Sequence, residues 1–407
     1  MQKKVVTDLD LKGKKVLIRV DFNVPLDKSG NITDTSRIAA AVPTIKYVLE
    51  KGGYPILMSH LGRPKGKVDH TMSLAPCAQV LSRFLDRPVL MAADCIGDKV
   101  KDLIKGMKPG YVVLLENLRF YDAEEHPEKD PSFAEKLSQL GDCYVNDAFG
   151  TAHRAHSSTA TITKYFPEKS AMGFLIEKEI KFLRDTFTHP KRPFIAIIGG
   201  AKVSTKLGVI KSLLKKVDCL LIGGGMAYTF LKAQGKNVGN SIVEEDLIDT
   251  AKDVLQAFKK AGVTLQLPVD HLIVGQVSNN AETRVVTSDE GIPPGFQGVD
   301  IGPKTIEEFQ NQINISKTVF WNGPLGIFET PNFAKGTYAI AESVANLHGT
   351  TIVGGGDSVS AIQHANLAHK ITHLSTGGGA SLEFIEFGML PGIEALSDIQ
   401  EGDDTAT

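Results

Sequence analysis

Residues 196–210, "AIIGGAKVSTKLGVI", pass from an apolar stretch through two glycines into a segment that carries Lys202 and Lys206. A short apolar run that stops at glycines predicts a buried strand, a tight turn and the start of a helix. Strands followed by helices in this way build parallel sheets. The stretch therefore favours an α/β fold, and its turn could bind a phosphate, bind a dinucleotide, or serve only as a connection.

Two familiar glycine motifs do not fit this turn. A Walker loop requires glycine directly before the lysine and Ser or Thr after it, whereas Lys206 lies between a threonine and a leucine. A G-x-G-x-x-G fingerprint is also excluded, because seven other residues separate Gly200 from Gly208. The spacing instead predicts Lys202 and Lys206 on one helical face, about 5–6 Å apart at Cβ. This pair is either a solvated basic face or a phosphate contact, with Lys206 the better placed of the two.

Similar apolar runs recur along the chain, separated by helix-length amphipathic segments. This alternation predicts parallel sheets covered on both faces by helices. The predicted strands of the first half are "KKVLIRVDF", "YPILMSH", "PVLMA", "YVVLLEN" and "CYVNDAF". Those of the second half are "PFIAIIGG", "CLLIGGG", "VTLQLPVDH", "TVFWNGP", "TTIVGGG" and "THLSTGGG".

A chain of 407 residues exceeds the usual size of one domain. We predict domains at 1–170 and 189–390, joined by a hinge helix at 171–188. In that segment Ile176, Ile180, Leu183 and Phe187 follow helical spacing, and two prolines stop the run. The last residues, "EGDDTAT", have the composition of a frayed terminus.

Composition narrows the possible function. The formal net charge of −2 provides no basic field for nucleic acid or an anionic membrane. No apolar window is long enough to span a bilayer, and the first residues lack the apolar core of a signal peptide. Cys77, Cys95, Cys143 and Cys219 lack zinc or redox spacing, so we expect reduced structural thiols in a cytoplasmic enzyme.

The residues that follow the predicted strands differ between the halves. Strand ends in open α/β sheets are where ligands bind. The predicted strands of the first half are followed by charged and polar residues, namely Asp21, Asn23, His60, Arg63, Arg119, His153 and Arg154. The predicted strands of the second half end in the glycine clusters 199–200, 223–225, 354–356 and 377–379. Arginines suit a small, multiply charged anion. Glycine turns that open helices suit the phosphates of a larger ligand. We therefore predict two sites for two ligands, facing each other across a cleft.

Several residues in the first half allow two interpretations. His60, His153 and His156 could be core histidines, although nearby arginines favour substrate contact. Arg37 begins a predicted helix, where its charge opposes the helix dipole. That placement is unfavourable unless the arginine binds an anion.

The second half contains two further candidate segments. In "VGGGDSVSA", Asp357 and Ser358 could cap the next helix, or Asp357 could approach a Mg²⁺ ion carried on nucleotide phosphates. In "VFWNGPLGIFET", we expect Trp321 and Phe328 to pack in the core. Glu329 in the same segment could accept hydrogen bonds from ribose hydroxyls.

The motifs "RVDFNVP", "SHLGRP", "ENLRF", "DAFGTAHRAHSS", "GGAKVSTK", "WNGPLGIFE", "GGGDS" and "STGGGASLEF" occur in this order and cover nearly the whole chain. Together they resemble the phosphoglycerate kinase family. The resemblance implies two Rossmann-like domains joined by a hinge helix, bilobal with a central cleft. It also implies phosphoryl transfer from 1,3-bisphosphoglycerate to ADP in glycolysis, giving 3-phosphoglycerate and ATP, with Mg²⁺ as cofactor and a monomeric enzyme.

The resemblance assigns site residues by matching position. It places the acidic substrate at Asp21, Phe22, Asn23, Arg37, His60, Leu61, Gly62, Arg63, Arg119 and Arg154. It places the nucleotide at Gly200, Lys202, Lys206, Gly298, Asn322, Glu329, Gly355, Gly356, Asp357 and Ser358, with Asp357 near the magnesium. The expected catalytic groups are Arg37, Lys206 and the backbone at Gly378 and Gly379. Ser358 stands where the family more often has threonine, and the family pattern packs residues 391–407 back on the first domain.

The expected chemistry needs no general base, because the acceptor is a carboxylate whose pKa of roughly 3.5 leaves it ionised at neutral pH. Two alternatives stay open at this point. An NAD-dependent oxidoreductase could use the same sheet but would need the missing fingerprint. A nonenzymatic nucleotide-binding protein could keep the fold without the chemistry.

Overall fold

The structure is a computed structural model that describes residues 2–399. The chain divides into two compact units. Within the described residues, unit 1 comprises 2–181 and 389–399, and unit 2 comprises 182–388. The α/β prediction is confirmed, since each unit has its own six-stranded parallel sheet with helices.

The sheet of unit 1 has the strand order β3-β4-β2-β1-β5-β6, and every neighbouring pair is parallel. Its strands are β1 (Lys15–Arg19), β2 (Tyr54–Met58), β3 (Val89–Met91), β4 (Val112–Leu114), β5 (Cys143–Asn146) and β6 (Ser170–Met172). Its first helices are α1 (Ser36–Glu50), α2 (Ala75–Leu85), α3 (Asp98–Lys105) and α4 (Ser132–Ser138). Five strands match predicted runs, and β6 was missed because its sequence, "SAM", is not a run of Val, Ile and Leu.

The core of unit 1 lies between the sheet and helices α1 and α2. Val16 and Ile18 of β1 pack there with Ile38 and Ile45 of α1, all fully buried. Burying such a side chain stabilises the fold by about 1.5–3 kcal/mol. This packing fixes the carboxyl ends of the central strands, where the candidate site residues follow.

Helix α5 (Phe174–Thr188) crosses from unit 1 into unit 2, because the division falls between Lys181 and Phe182. A carboxylate holds its start: Asp147 Oδ1 accepts from the backbone N–H of Leu175 at 2.9 Å and of Ile176 at 3.4 Å. Burial raises the pKa of Asp147 to about 7, so this carboxyl group stabilises the helix start mainly through its hydrogen bonds. The helix lies within the predicted hinge segment.

Unit 2 contains the larger set of elements. Its parallel sheet has the order β15-β14-β13-β7-β8-β9. The strands of unit 2 are β7 (Phe194–Ile198), β8 (Cys219–Ile222), β9 (Thr264–Gln266), β10 (Asp270–Val274), β11 (Arg284–Thr287), β12 (Gln297–Ile301), β13 (Thr318–Asn322), β14 (Thr350–Gly354) and β15 (His373–Leu374). Its further helices are α6 (Leu207–Leu213), α7 (Met226–Ala233), α8 (Ile248–Ala261), α9 (Pro303–Ile315), α10 (Lys335–Ala345), α11 (Gly356–His364) and α12 (Gly379–Phe387).

A second sheet in unit 2 corrects the prediction of one strand over "VTLQLPVDH". That run divides into β9, which pairs in the parallel sheet, and β10, which pairs antiparallel with β11 and β12. Pro268 lies between the two strands, and proline cannot donate a ladder hydrogen bond. Strand β11, "RVVT", has three exposed residues of four, so its two valines are too short a run to predict a buried strand.

Residues 389–399 belong to unit 1 and include α13 (Pro391–Glu394). Gly392 N–H donates to the carbonyl of Ala152 at 2.8 Å, and Lys4 N–H donates to the carbonyl of Ser397 at 2.9 Å. The remainder of the predicted segment 391–407 lies outside the described residues from position 400. The four cysteines are free and buried, as expected of structural thiols.

Candidate functional site

The loops that follow β1 and β2 are joined at the carboxyl edge of the unit 1 sheet. Arg37, on the first turn of α1, donates from Nη1 to both carboxylate oxygens of Asp21 at 3.2 Å and to the carbonyl of Asn23 at 3.0 Å. Asn23 Oδ1 in turn accepts from Gly62 N–H at 2.9 Å. The start of α1 at Ser36 confirms that Arg37 lies at a helix N-terminus, where Asp21 balances its charge.

Arg119 joins the same edge from the turn Leu118–Phe120, which follows β4. Its Nη1 donates to the carbonyl of Gly62 at 3.1 Å, and its Nη2 lies 3.3 Å from Glu125 Oε1. The Nε atom is buried without a hydrogen-bond partner among the described residues. Because an unpaired buried donor is costly, this guanidinium is suited to an anionic ligand.

Two histidines at this edge are neutral. Burial holds the pKa of His60 well below its usual value, and the charges of Arg19, Arg119 and Arg37 lower it further. Burial also lowers the pKa of His156 to about 3, again with help from the arginines. At neutral pH these rings therefore offer hydrogen bonds rather than positive charge.

The other predicted substrate residues lie at the margin. Arg154 is exposed and donates from Nε to His153 Nε2 at 3.3 Å. Burial lowers the pKa of Arg119, and the positive charge of Arg154 lowers it slightly further. Arg63 is also exposed, immediately after Gly62. Phe22 and Leu61 are buried, and their backbone N–H groups already donate within the protein, to Ser59 Oγ and Asn117 Oδ1.

Unit 2 holds a cavity of about 260 Å³ at the glycine turns. Four predicted nucleotide residues line it, namely Gly200, Gly298, Glu329 and Asp357. The other lining residues are Ala201, Gly224, Gly225, Tyr228, Ile242, Gln297, Val299, Pro324, Leu325, Gly326 and Ile327. A Cβ atom at position 298 would lie 1.8 Å from Tyr228 Oη, so glycine is required beside that ring. The cavity thus has a mainly glycine and apolar wall with two carboxylates.

The prediction that Lys202 and Lys206 share a helical face is wrong. Helix α6 starts at Leu207, and Lys206 is the residue before it. Lys202 lies in the preceding turn, where its carbonyl accepts from Thr205 Oγ1 at 2.9 Å. Side-chain hydrogen bonds of this kind favour turns over helix. Lys202 is exposed, whereas Lys206 is partly buried.

Lys206 points to the end of β13, where its Nζ donates to Asn322 Oδ1. Burial lowers the pKa of Lys206 to about 8, and Asp357 opposes that shift. The Nδ2 atom of the buried Asn322 has no partner among the described residues. Lys206, Asn322 and Asp357 therefore form a polar group from three separate parts of unit 2.

The capping interpretation of Asp357 and Ser358 is also wrong. Helix α11 begins at Gly356, after Gly355 with φ +87°, and no side chain caps it. Ser358 Oγ instead accepts from Gly323 N–H at 2.6 Å, while Asp357 is exposed at the cavity. Helix α12 likewise begins at Gly379, after Gly378 with φ +51°. Both helices present first-turn N–H groups that bind anions well.

Core packing of Trp321 and Phe328 is confirmed, since both side chains are buried. Arg19, a fully buried charge that contacts His60, was not predicted as a site residue. Its signal was an arginine ending the apolar run "KVLIR". Ile242 and Tyr228 of the cavity were missed because neither directly follows a predicted strand.

An α/β fold with arginines at one set of strand ends and glycine-opened helices at another is typical of enzymes that bind phosphorylated small molecules. The family model "Phosphoglycerate kinase" matches residues 6–387. A phosphoglycerate kinase of Chlorobium phaeobacteroides is 53% identical over 401 residues, covering 98% of this chain and all of the relative. A phosphoglycerate kinase of Clostridium tetani is 51% identical over 398 residues, covering 97% of this chain and 98% of the relative.

Solved structures agree with these relatives. The structure of phosphoglycerate kinase from Coxiella burnetii superposes with a TM-score of 0.83 at 38% identity, covering 97% of this chain and 98% of the other. The chain belongs to the phosphoglycerate kinase family. It has the phosphotransferase function of that family in glycolysis, with a nucleotide and small molecules as substrates. Among the described residues, no helix is both long and apolar enough to cross a membrane.

Proposed function

We propose that unit 1 binds 3-phosphoglycerate or 1,3-bisphosphoglycerate and that unit 2 binds Mg²⁺ with ADP or ATP. The observation that carries this division is the different chemistry of the two sites. Unit 1 presents guanidinium groups at joined strand ends, which suits a small acid with few carbon atoms. Unit 2 presents a cavity lined by glycine and apolar residues beside the starts of α7 and α11, which suits a base with attached phosphates.

In unit 1 we assign phosphate and carboxylate recognition to Arg37, Arg119 and His60, which lie within one hydrogen-bonded edge. Exposed Arg63 and Arg154 would add charge from the margin. The backbone amides of Phe22 and Leu61 already have partners, so we assign these two residues to shaping the edge. The role of Asp21 is to orient Arg37 through two 3.2 Å contacts.

In unit 2 we assign the base and ribose to the cavity walls at Gly200, Gly298 and Glu329. The phosphates would lie toward Lys206 and the helix that begins after Gly355. Gly356 and Ser358 belong to that same first turn, and Asn322 lies at the end of β13, where it contacts Lys206. We assign Lys202, exposed in the turn before α6, to the margin of the phosphate site.

The chemical step displaces one oxygen from phosphorus by another. A carboxylate oxygen of 3-phosphoglycerate forms a bond to the γ-phosphorus while the bond from that phosphorus to the bridging oxygen breaks, and the reverse makes ATP. The carboxylate is already ionised, so no residue must remove a proton. Arg37, Lys206 and the backbone N–H groups near Gly378 and Gly379 would stabilise charge on the transferring oxygens.

Magnesium fits the residues of unit 2. Asp357 is an exposed carboxylate at the cavity, and residues 2–399 contain no cluster of three or more His, Cys, Asp or Glu that could hold a metal. Mg²⁺ commonly binds through one or two carboxylates and substrate phosphates while keeping several waters. When bound, the ion would neutralise charge on the nucleotide phosphates, and Asp357 would hold it.

A coupled assay of ATP formation from ADP and 1,3-bisphosphoglycerate tests these assignments. We expect turnover to require Mg²⁺, and Asp357→Asn to raise the half-saturating Mg²⁺ concentration about tenfold, equivalent to about 1.4 kcal/mol. Asp249→Asn is the matched control, because Asp249 is a surface carboxylate of unit 2 with a side chain 95% exposed. An unchanged Mg²⁺ requirement in Asp357→Asn would refute the metal assignment.

We also propose a cytoplasmic monomer that bends about α5. The buried free thiols suit a reducing compartment. Transfer requires the substrates of two units to come within bonding distance, and α5 connects those units. Small-angle scattering should give the mass of one chain and a smaller radius of gyration with both substrates bound. A mass of two chains would contradict the proposed monomer, and an unchanged radius of gyration would contradict bending about α5.

A further inference from the structure

Beneath the edge of unit 1 lies an arginine that no substrate can reach. Arg19 is the last residue of β1, and its side chain is 0% exposed. Its guanidinium donates from Nε to Ser158 Oγ at 2.8 Å and from Nη1 to the carbonyl of Val20 at 2.5 Å. Its Nη2 lies 3.1 Å from His60 Nδ1.

The charge of Arg19 is held by a buried network. Glu124 Oε1 lies 3.9 Å from Nη2, and Glu124 is also fully buried. Ser158 donates its single hydroxyl proton to Glu124 Oε1 at 2.5 Å, so its oxygen must accept from Arg19 Nε. Burial raises the pKa of Glu124, which Arg19 and the Ser158 hydrogen bonds oppose. The donor and the acceptor of each hydrogen bond from Arg19 through Ser158 to Glu124 are therefore fixed.

The hydrogen bond from Arg19 determines which ring nitrogen of His60 carries the proton. Arginine has five N–H donors and no acceptor, so His60 Nδ1 can only accept. A neutral imidazole whose Nδ1 accepts carries its proton on Nε2. Nε2 forms no hydrogen bond with the described residues. The ring therefore offers one N–H donor to a ligand at the edge.

We propose that Arg19 is a positioning residue that locks His60 in the Nε2–H form, so that this atom donates to an oxygen of the phosphoglycerate. The proposal rests on the assignment of His60 to the substrate. The ionised phosphate and carboxylate oxygens of phosphoglycerate can only accept hydrogen bonds. In the Nδ1–H tautomer, His60 Nε2 would face such an oxygen with a lone pair instead of a proton. The network thus selects the form of His60 that attracts the substrate.

Nitrogen NMR of the wild-type protein tests the tautomer directly. In a sample with ¹⁵N-labelled histidine, the resonances of His60 are assigned by their loss in His60→Gln. We expect Nδ1 to show the shift of an unprotonated acceptor and Nε2 that of a protonated nitrogen, without substrate. A protonated Nδ1 would overturn the role of Arg19. Adding 3-phosphoglycerate should then shift Nε2, and no shift would refute the substrate role of His60 while leaving the tautomer result intact.

Arg19→Lys provides the kinetic test, since lysine keeps a charge but cannot donate to Ser158 and His60 as a fixed fork. We expect KM for 3-phosphoglycerate to rise about tenfold, the effect of losing one hydrogen bond to a charged group, with KM for ATP unchanged. Arg83→Lys, at an exposed position on α2, is the matched control. Equal increases in both KM values would overturn the proposal, and the wild-type NMR result decides it if the variant does not fold.

Discussion

Replacement of Arg37 by alanine is expected to lower kcat by on the order of 10³, with a smaller change in KM for 3-phosphoglycerate. The structure gives the reason in the free enzyme. Arg37 is held by Asp21 and Asn23 at 3.0–3.2 Å while its side chain stays 39% exposed. A charge fixed before the substrate arrives needs no reorganisation as negative charge develops on the transferring oxygens.

The controls for Arg37 separate charge from geometry. Arg37→Lys keeps the charge but removes the planar guanidinium whose Nη1 contacts Asp21 and Asn23, so we expect an intermediate loss of kcat. Arg83→Ala removes an exposed arginine of the same unit and should retain wild-type kinetics. Steady-state rates in both directions measure these effects. Near-normal kcat in Arg37→Ala would show that Arg37 does not stabilise the transition state.

The second large effect is expected at Lys206. We expect Lys206→Ala to lower kcat by on the order of 10² to 10³, whereas Lys202→Ala changes it by less than about tenfold. Lys206 contacts Asn322 and is partly buried next to Asp357, whereas Lys202 is exposed in the turn. The two variants remove the same side chain from the same segment, so each controls for the other. Equal losses of kcat would contradict the assignment of Lys206.

The lowered pKa of Lys206 adds a pH dependence. Its ammonium loses a proton as pH rises through about 8, so the free enzyme loses this positive charge above that pH. We expect KM for ADP to rise above pH 8 in the wild type. Lys206→Arg should remove that rise, because arginine stays charged. A wild-type KM that is flat to pH 10, or an identical rise in Lys206→Arg, would exclude Lys206 as the source.

The parallel sheets were predictable because their strands are buried on both faces and read as continuous apolar runs. "PFIAIIGG" contains β7, whose five residues are all buried. By contrast β11, "RVVT", exposes three of four residues, and its place is determined by pairing with β10 rather than by its own sequence. Spacing alone therefore missed the antiparallel sheet.

The candidate site was predictable in its residue types and less so in its local geometry. Arginines and glycines after strands marked the two surfaces, because strand ends meet at one sheet edge. Helical spacing misplaced Lys202 because hydrogen bonds of Thr205 and Ser204 hold a turn there, the latter to Glu244 at 3.1 Å. Arg19 was missed because its partners Glu124 and Ser158 lie over 100 residues away in sequence.

The return of residues 389–399 to unit 1 determines the order in which the chain can fold during synthesis. Ile399 N–H donates to the carbonyl of Gln2 at 2.8 Å, so unit 1 joins segments from opposite ends of the described chain. Unit 2 is one continuous stretch and needs nothing synthesised after position 388. On the ribosome, unit 2 can therefore complete its fold first, while the earlier-made unit 1 waits for its last hydrogen bonds.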